Sequence, residues 1–255
     1  MNRRKIPLSA KRRQRAARVK ILAEVGIYQR RLERLRAAQI RKSLSAVIDY
    51  PYQEWSARLE WDEPYIGKIL NNIYKLSSVN GSEKQLEEWG VKSSPVWQNT
   101  FDQWVKTNIG KEIVIVTGTM KKWIIDNVML FVEEYGDMGV EYMTKKLYSS
   151  ISLAWSGIEE WECRRIIQTE ALTSFAVSGM AAIDSLNTPY EKCWSTSGLT
   201  NTRMEHLEME GVCVDENDPF IVGGEMMMYP HDSSMGASAG NIINCACDVL
   251  CVPKN

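Results

Sequence analysis

Apolar residues recur at helical spacing through most of this chain. Ile21, Val25, Tyr28, Leu32 and Leu35 follow a 4-3-4-3 rhythm, which sets them on one stripe of a helix with Arg and Lys on the other faces. Residues 11–18 precede the stripe and read as its frayed start. Residues 110–135 form one helical pattern, with Ile113, Val116, Met120, Trp123, Ile124, Val128 and Phe131 inward. The glycines at 136–139 break it. A second helix is expected over 140–155, and a third from Gly157 through Ile158, Trp161, Ile166, Leu172 and Phe175 to about residue 183. Glu160 and Arg164 form an i,i+4 pair on the third. Pro51, Pro64 and Pro95 punctuate this region, as do the turn-rich stretches 77–82 and 90–95. Trp55, Trp61, Trp89, Trp97, Trp104, Trp123, Trp155 and Trp161 read as core and inter-helix anchors.

The rhythm changes after 187–189. A short strand is expected over 191–195, around Trp194. Thr202-x-x-Glu205 has the spacing of a capping box opening a two-turn helix that Gly211 closes. Residues 212–214 suggest another strand. Phe220-Ile221-Val222, Gly223-Gly224 and 226–229 read as a β-hairpin with a two-residue turn. Residues 233–240 are small and polar, as in a mobile loop, and 242–251 would be the last strand. The fold class predicted is α+β: a mainly helical N-terminal body with a small C-terminal α+β module containing a β-hairpin. The expected divisions are a basic helical arm over 1–42, a helical body over 43–185 and the module over 186–255.

Composition adds little to this, but charge does. The 255 residues are 44% apolar and 25% charged, ordinary values for a soluble globular chain. No stretch approaches the roughly 18–20 uninterrupted apolar residues of a membrane span, so no membrane partner is expected. No apolar region and cleavage site follow the basic start, which argues against a secretory signal. The net charge of −1 hides an asymmetry. Residues 1–42 hold fifteen Lys/Arg against two Glu, a net of +13, and the rest of the chain carries −14. Lys11, Arg12, Arg13, Arg15, Arg18, Lys20, Arg30 and Arg31 are candidate contacts to nucleic acid or an acidic partner. The six cysteines include no Cys-x-x-Cys pair, and mostly free thiols in a reducing cytoplasm are expected.

His206, His231, Cys245 and Cys247 are the candidate metal cluster, since two imidazoles and two thiolates suit tetrahedral zinc. Against it, Cys245 and Cys247 would share one face of the last strand with Ile243, Val249 and Cys251, an apolar inward stripe. Core thiols with no cofactor are the favoured reading, with zinc and a disulfide as alternatives. His206 and Arg203 are read as fixing the short helix to the sheet. No nucleophile with an acid partner falls beside His206 in the sequence, so no catalytic residue is assigned.

The order of features over about 158–250 resembles the Mu F-like phage head morphogenesis family. The helix Arg165-x-x-x-Thr169-Glu170 with Gly179 comes first, then Lys192-x-Trp194, Thr202-Arg203-x-x-His206 and Gly211. Phe220, Gly223-Gly224, Pro230 and Asn244-Cys245-x-Cys247 complete the series. Two family positions differ, Leu199 and Asn201 standing where an acidic residue and an Arg are usual. Ala246 replaces the basic residue between the cysteines. The resemblance implies a non-enzymatic minor capsid protein of a tailed phage or prophage. Such a protein is made in the host cytoplasm, resides in the capsid interior, and associates with portal, capsid or scaffold proteins and, through its arm, with packaged DNA. The rival reading is a metal-dependent nuclease-like or toxin domain using His206, His231 and Cys245/Cys247. Arg165, Thr169 and Glu170 are expected to bind backbone groups of the C-terminal module.

Overall fold

A computed structural model describes residues 2–49, 62–92, 96–135 and 140–254, with the backbone alone over 40–49 and most of 119–160. In chain order the elements are β1 (Asn2–Arg3), α1 (Leu8–Asp49), α2 (Glu63–Glu88), α3 (Val96–Tyr135), α4 (Val140–Asp184) and β2 (Tyr190–Ser195). They continue as α5 (Met204–Glu208), β3 (Val212–Asp215), β4 (Phe220–Val222), β5 (Glu225–Met227), α6 (Ala239–Ile242) and β6 (Asp248–Pro253). The fold is α+β, a helical body with a small antiparallel module at its C-terminal end. The expectations for Pro51, Trp55, Trp61, Pro95 and the break at 136–139 lie outside the described residues. So do the side chains of Met120, Trp123, Ile124, Val128, Phe131, Trp155 and Ile158.

Two compact units interleave along the chain. One comprises Met1–Gly26, Asn71–Lys106 and Ile167–Asn255; the other comprises Ile27–Leu70 and Thr107–Ile166. Each of α1 to α4 supplies a stretch to both. The expected boundary at 42/43 thus falls inside the second unit, and that at 185/186 inside the first. In the second unit Leu32, Ile66, Ile69, Leu70 and Val116 are buried, and Arg36 pairs with Glu162 at 2.5 Å.

The helices correct several expectations. Residues 11–18 are not frayed: α1 begins at Leu8, and Ala10 and Gln14 are already buried. The two helices expected over 140–183 are one, because a single interior glycine such as Gly157 costs only about 1 kcal/mol, which flanking turns absorb. Residues 77–82 are not a turn but the middle of α2. Their small side chains let α2 and α4 approach closely: Ser77, Ser78 and Ser82 are buried, and a Cβ on Gly81 would lie 2.2 Å from the Phe175 carbonyl oxygen. Trp97 is a core anchor as expected, whereas Trp161 is half exposed beneath the Arg165 guanidinium. The stretch Trp161–Asp184 is long and apolar enough to cross a membrane, yet 72% of its apolar window is buried, as in a core helix.

The module sits in the first unit. Its sheet runs β1-β3-β2-β6, antiparallel throughout, with Cys193 opposite Cys213 and Trp194 opposite Val249. A disulfide joins Cys193 to Cys213, a pairing the sequence did not suggest; Cys163, Cys245, Cys247 and Cys251 remain thiols. One face buries Trp194, Val212, Phe220, Val222, Met227 and Val249 in a common core. The outer edge of β6 is not left bare. Gln85 of α2 gives its amide to the Val249 carbonyl (2.7 Å) and accepts the Cys251 N–H (3.3 Å), and Trp89 donates to the Cys251 carbonyl (2.9 Å). The hairpin β4–β5 forms as expected. Gly223 and Gly224 have φ of 57° and 85°, the left-handed pair that a tight hairpin turn demands.

Candidate metal centre

The site begins with α5, whose five residues present His206 inward. The expected capping box does not form. The N-cap is Arg203, and Thr202 instead donates its hydroxyl to the Leu199 carbonyl at 2.7 Å, closing a turn over 199–202. Gly211 ends the segment at φ 73°. Its N–H donates to the Trp194 carbonyl and its carbonyl accepts the Arg4 N–H, so close that a Cβ would meet the Arg4 oxygen at 2.3 Å. Trp194 packs edge-on against His206, ring centres 5.5 Å apart, and against Phe220 at 5.3 Å.

The two cysteines reach this histidine because the last strand starts later than its apolar pattern suggests. Asn244 adopts φ 56°, which ends any extended run there, and β6 begins only at Asp248. Cys245 and Cys247 therefore lie in an irregular segment, not on a strand face with Val249 and Cys251. His206 Nδ1 is 3.4 Å from the Cys245 sulfur and 3.5 Å from the Cys247 sulfur. The Cys247 N–H also donates to the Cys245 sulfur at 3.3 Å. All three residues are buried.

Hydrogen bonds fix which imidazole nitrogen faces the sulfurs. Asn241 donates from Nδ2 to the Val222 carbonyl (3.2 Å) and to Glu225 (2.6 Å), so its Oδ1 is the atom left to face His206 Nε2, at 3.2 Å. An amide oxygen only accepts. Nε2 thus carries the proton, and Nδ1 offers its lone pair to the sulfurs. Glu225, held below its ordinary value by the Ser238 N–H, Asn241 and the Ser238 hydroxyl, anchors this relay.

Three donors hold the carbonyls of the cysteine segment. Arg203 donates to Ile243 at 2.5 Å, His231 Nε2 to Cys245 at 2.9 Å, and Arg18 to Ala246 at 2.8 Å. The guanidinium at Ala246 arrives from α1. His231 is buried at φ 76°, after the buried Pro230, and the indole N–H of Trp194 lies beside Cys247. The hydrogen bond from Cys247 holds Cys245 well below its ordinary value against the effect of burial, with the His231 ring adding to it. Burial lowers the His231 ring, but the charge on Cys245, the hydrogen bonds to that residue and the charge on Asp248 together outweigh it and leave the ring raised.

No family model, curated protein or solved structure matches this chain. The chemistry therefore rests on the donors alone. Among the described residues one group of His, Cys, Asp or Glu has ligand geometry, namely His206, Cys245 and Cys247, whose donor atoms all lie within 4.8 Å of one another. His231, the fourth candidate from the sequence, stands beside this group, not within it.

The other candidates scatter. Arg165 stacks on Trp161 at 4.7 Å, the Thr169 carbonyl accepts the Thr173 hydroxyl, and the buried Glu170 takes a short hydrogen bond from the Tyr74 hydroxyl. Tyr74 of α2 thus reaches Glu170 from within the helices. Of the eight basic candidates, Lys11 pairs with Glu210, Arg13 forks onto Glu88, and Arg18 is committed to Ala246. Arg12, Arg15, Lys20, Arg30 and Arg31 are exposed. Sequence reasoning missed Asn241, Glu225 and the particular use of Arg18. The first two carry no motif, and the third was one arginine among many.

Proposed function

We propose that this chain is a minor capsid, or head morphogenesis, protein of a tailed phage or prophage, acting on portal and procapsid without turning over a substrate. The observation that carries the reading is convergence. Trp194, Arg203, His206, Gly211, Phe220, Asn244, Cys245 and Cys247 form an ordered series along the chain, and they meet around one closed core. Such an arrangement builds a rigid docking knob. A nuclease or toxin site would hold its imidazole where substrate reaches it, whereas His206 is 1% exposed. The exposed basic residues of α1 supply a surface for DNA or for an acidic partner.

The test is co-expression of the full chain with the portal and capsid proteins of its own phage or prophage, followed by isolation of the particles. The expected result is a few copies per particle, retained with the portal. A chain absent from particles, and one that cleaves DNA or RNA with added divalent metal, would overturn the reading.

A further inference from the structure

We propose that His206 Nδ1, Cys245 Sγ and Cys247 Sγ bind one zinc ion, which ties α5 to the segment leading into β6. The inference does not rest on the head-protein reading; a zinc site would serve this module in any assembly.

Distance makes the first argument. Zinc bonds of about 2.3 Å to sulfur and about 2.0–2.1 Å to nitrogen, set at a tetrahedral angle, separate N from S by about 3.5 Å. The observed separations are 3.4 and 3.5 Å. Hydrogen bonding explains them less well. Nδ1 has a single in-plane lone pair and accepts one S–H, yet two sulfurs stand equally near it. A metal ion on that lone pair accommodates both.

The surroundings make the second argument. A ligating histidine needs its other ring nitrogen held by an acceptor, and the Glu225–Asn241 pair does this for His206 Nε2. The Cys247 N–H aims at the Cys245 sulfur, and the Trp194 indole N–H lies beside Cys247, so donors flank both positions where thiolate charge would collect. Arg18, Arg203 and His231 hold the three carbonyls around the ligands, and the left-handed Asn244 and His231 flank them at backbone angles that only a well-determined structure maintains. On binding, two Zn–S bonds and one Zn–N bond form, and the thiol protons leave to solvent. The remaining corner falls to water.

The experiment uses the purified full chain. Metal content is measured first, then cobalt is titrated into chelator-treated protein. The expected result is one zinc per chain, displaced when the thiols are modified. Cobalt should give the visible bands of a tetrahedral ion and a sulfur-to-metal charge-transfer band. C245S, C247S and H206A should each lose stoichiometric zinc, while C163S and C251S retain it. H231A should weaken binding by about 10–100-fold. Should a ligand variant fail to fold, the cobalt spectrum of the unaltered protein decides alone. A folded wild-type chain that takes up no zinc or cobalt, or a cobalt spectrum without sulfur character, would overturn the proposal.

Discussion

Lys192 is fully enclosed, yet it keeps a charge-bearing amine. Its Nζ donates to the Met228 carbonyl at 2.9 Å and lies over the Phe220 ring at 5.7 Å. Burial lowers its pKa, against the pull of Cys251, Asp232, Asp184 and Asp218. Unfolded, the amine holds its proton up to about 10.5. Between the lowered value and 10.5 the unfolded state binds more protons, so this residue's contribution to stability grows as pH rises and is lost as pH falls. The gap in melting temperature between wild type and K192M should therefore shift in favour of wild type from neutral pH toward 10.5. A gap that does not change with pH would contradict the assignment. At this scale the donor types were legible in the sequence: His206, His231, Cys245 and Cys247 stood out as the metal-ligand chemistry present. Their grouping was not, since the alternation Ile243, Cys245, Cys247, Val249, Cys251 fits a strand. One left-handed residue, Asn244, moves the first two cysteines off that face, and sequence spacing carries no sign of it.

Among the elements, the helices were legible in kind and the contacts between them were not. Apolar periodicity located α1, α3 and α4, because burial of one stripe is what makes such helices stable. The serine- and glycine-rich stretch at 77–82 has a composition shared by turns and by close helix crossings. Only the partner decides between them, and here it is the Phe175–Ser178 turn of α4. Gly81→Ala forces a methyl to 2.2 Å from a backbone oxygen and 2.4 Å from the Ser178 hydroxyl, so the helices must separate. The expected loss is about 1–3 kcal/mol, the usual cost of overpacking, read as a lower denaturant midpoint with an unchanged slope. Gly90→Ala is a poor control despite its open surroundings, because its φ of 66° strains any side chain; Gly110→Ala, in helix α3 with nothing within 4 Å, is the suitable one.

At the level of the whole molecule, the basic segment is part of the fold and not a detachable arm. β1 pairs with β3, Ile21 and Val25 are core residues, and Gln14 accepts the Ser195 hydroxyl at 2.7 Å. Removing residues 1–42 would therefore remove structure together with charge, and a test of DNA binding by that deletion would be uninformative. Reversing exposed charges is the cleaner test. R12E/R15E/K20E should keep the wild-type melting temperature and weaken duplex DNA binding. It should also flatten the salt dependence by about 0.9 in log–log slope for each phosphate that is no longer neutralised. Undiminished binding by this variant would remove α1 from the DNA surface. The charge asymmetry was plain in the sequence. That Lys11, Arg13 and Arg18 spend their charge on Glu210, Glu88 and the Ala246 carbonyl was not, because those partners are distant along the chain.

The sheet order β1-β3-β2-β6 places the first and last strands on opposite margins, with the cross-linked pair β3 and β2 between them. Mechanical load applied at residues 2 and 254 would peel the margins away and then stop at a covalent staple. In a single-molecule pulling trace the extension gained by an oxidised chain should fall short by the 20 residues spanning 193–213, about 70 Å at ~3.5 Å per residue, and a reductant should restore it.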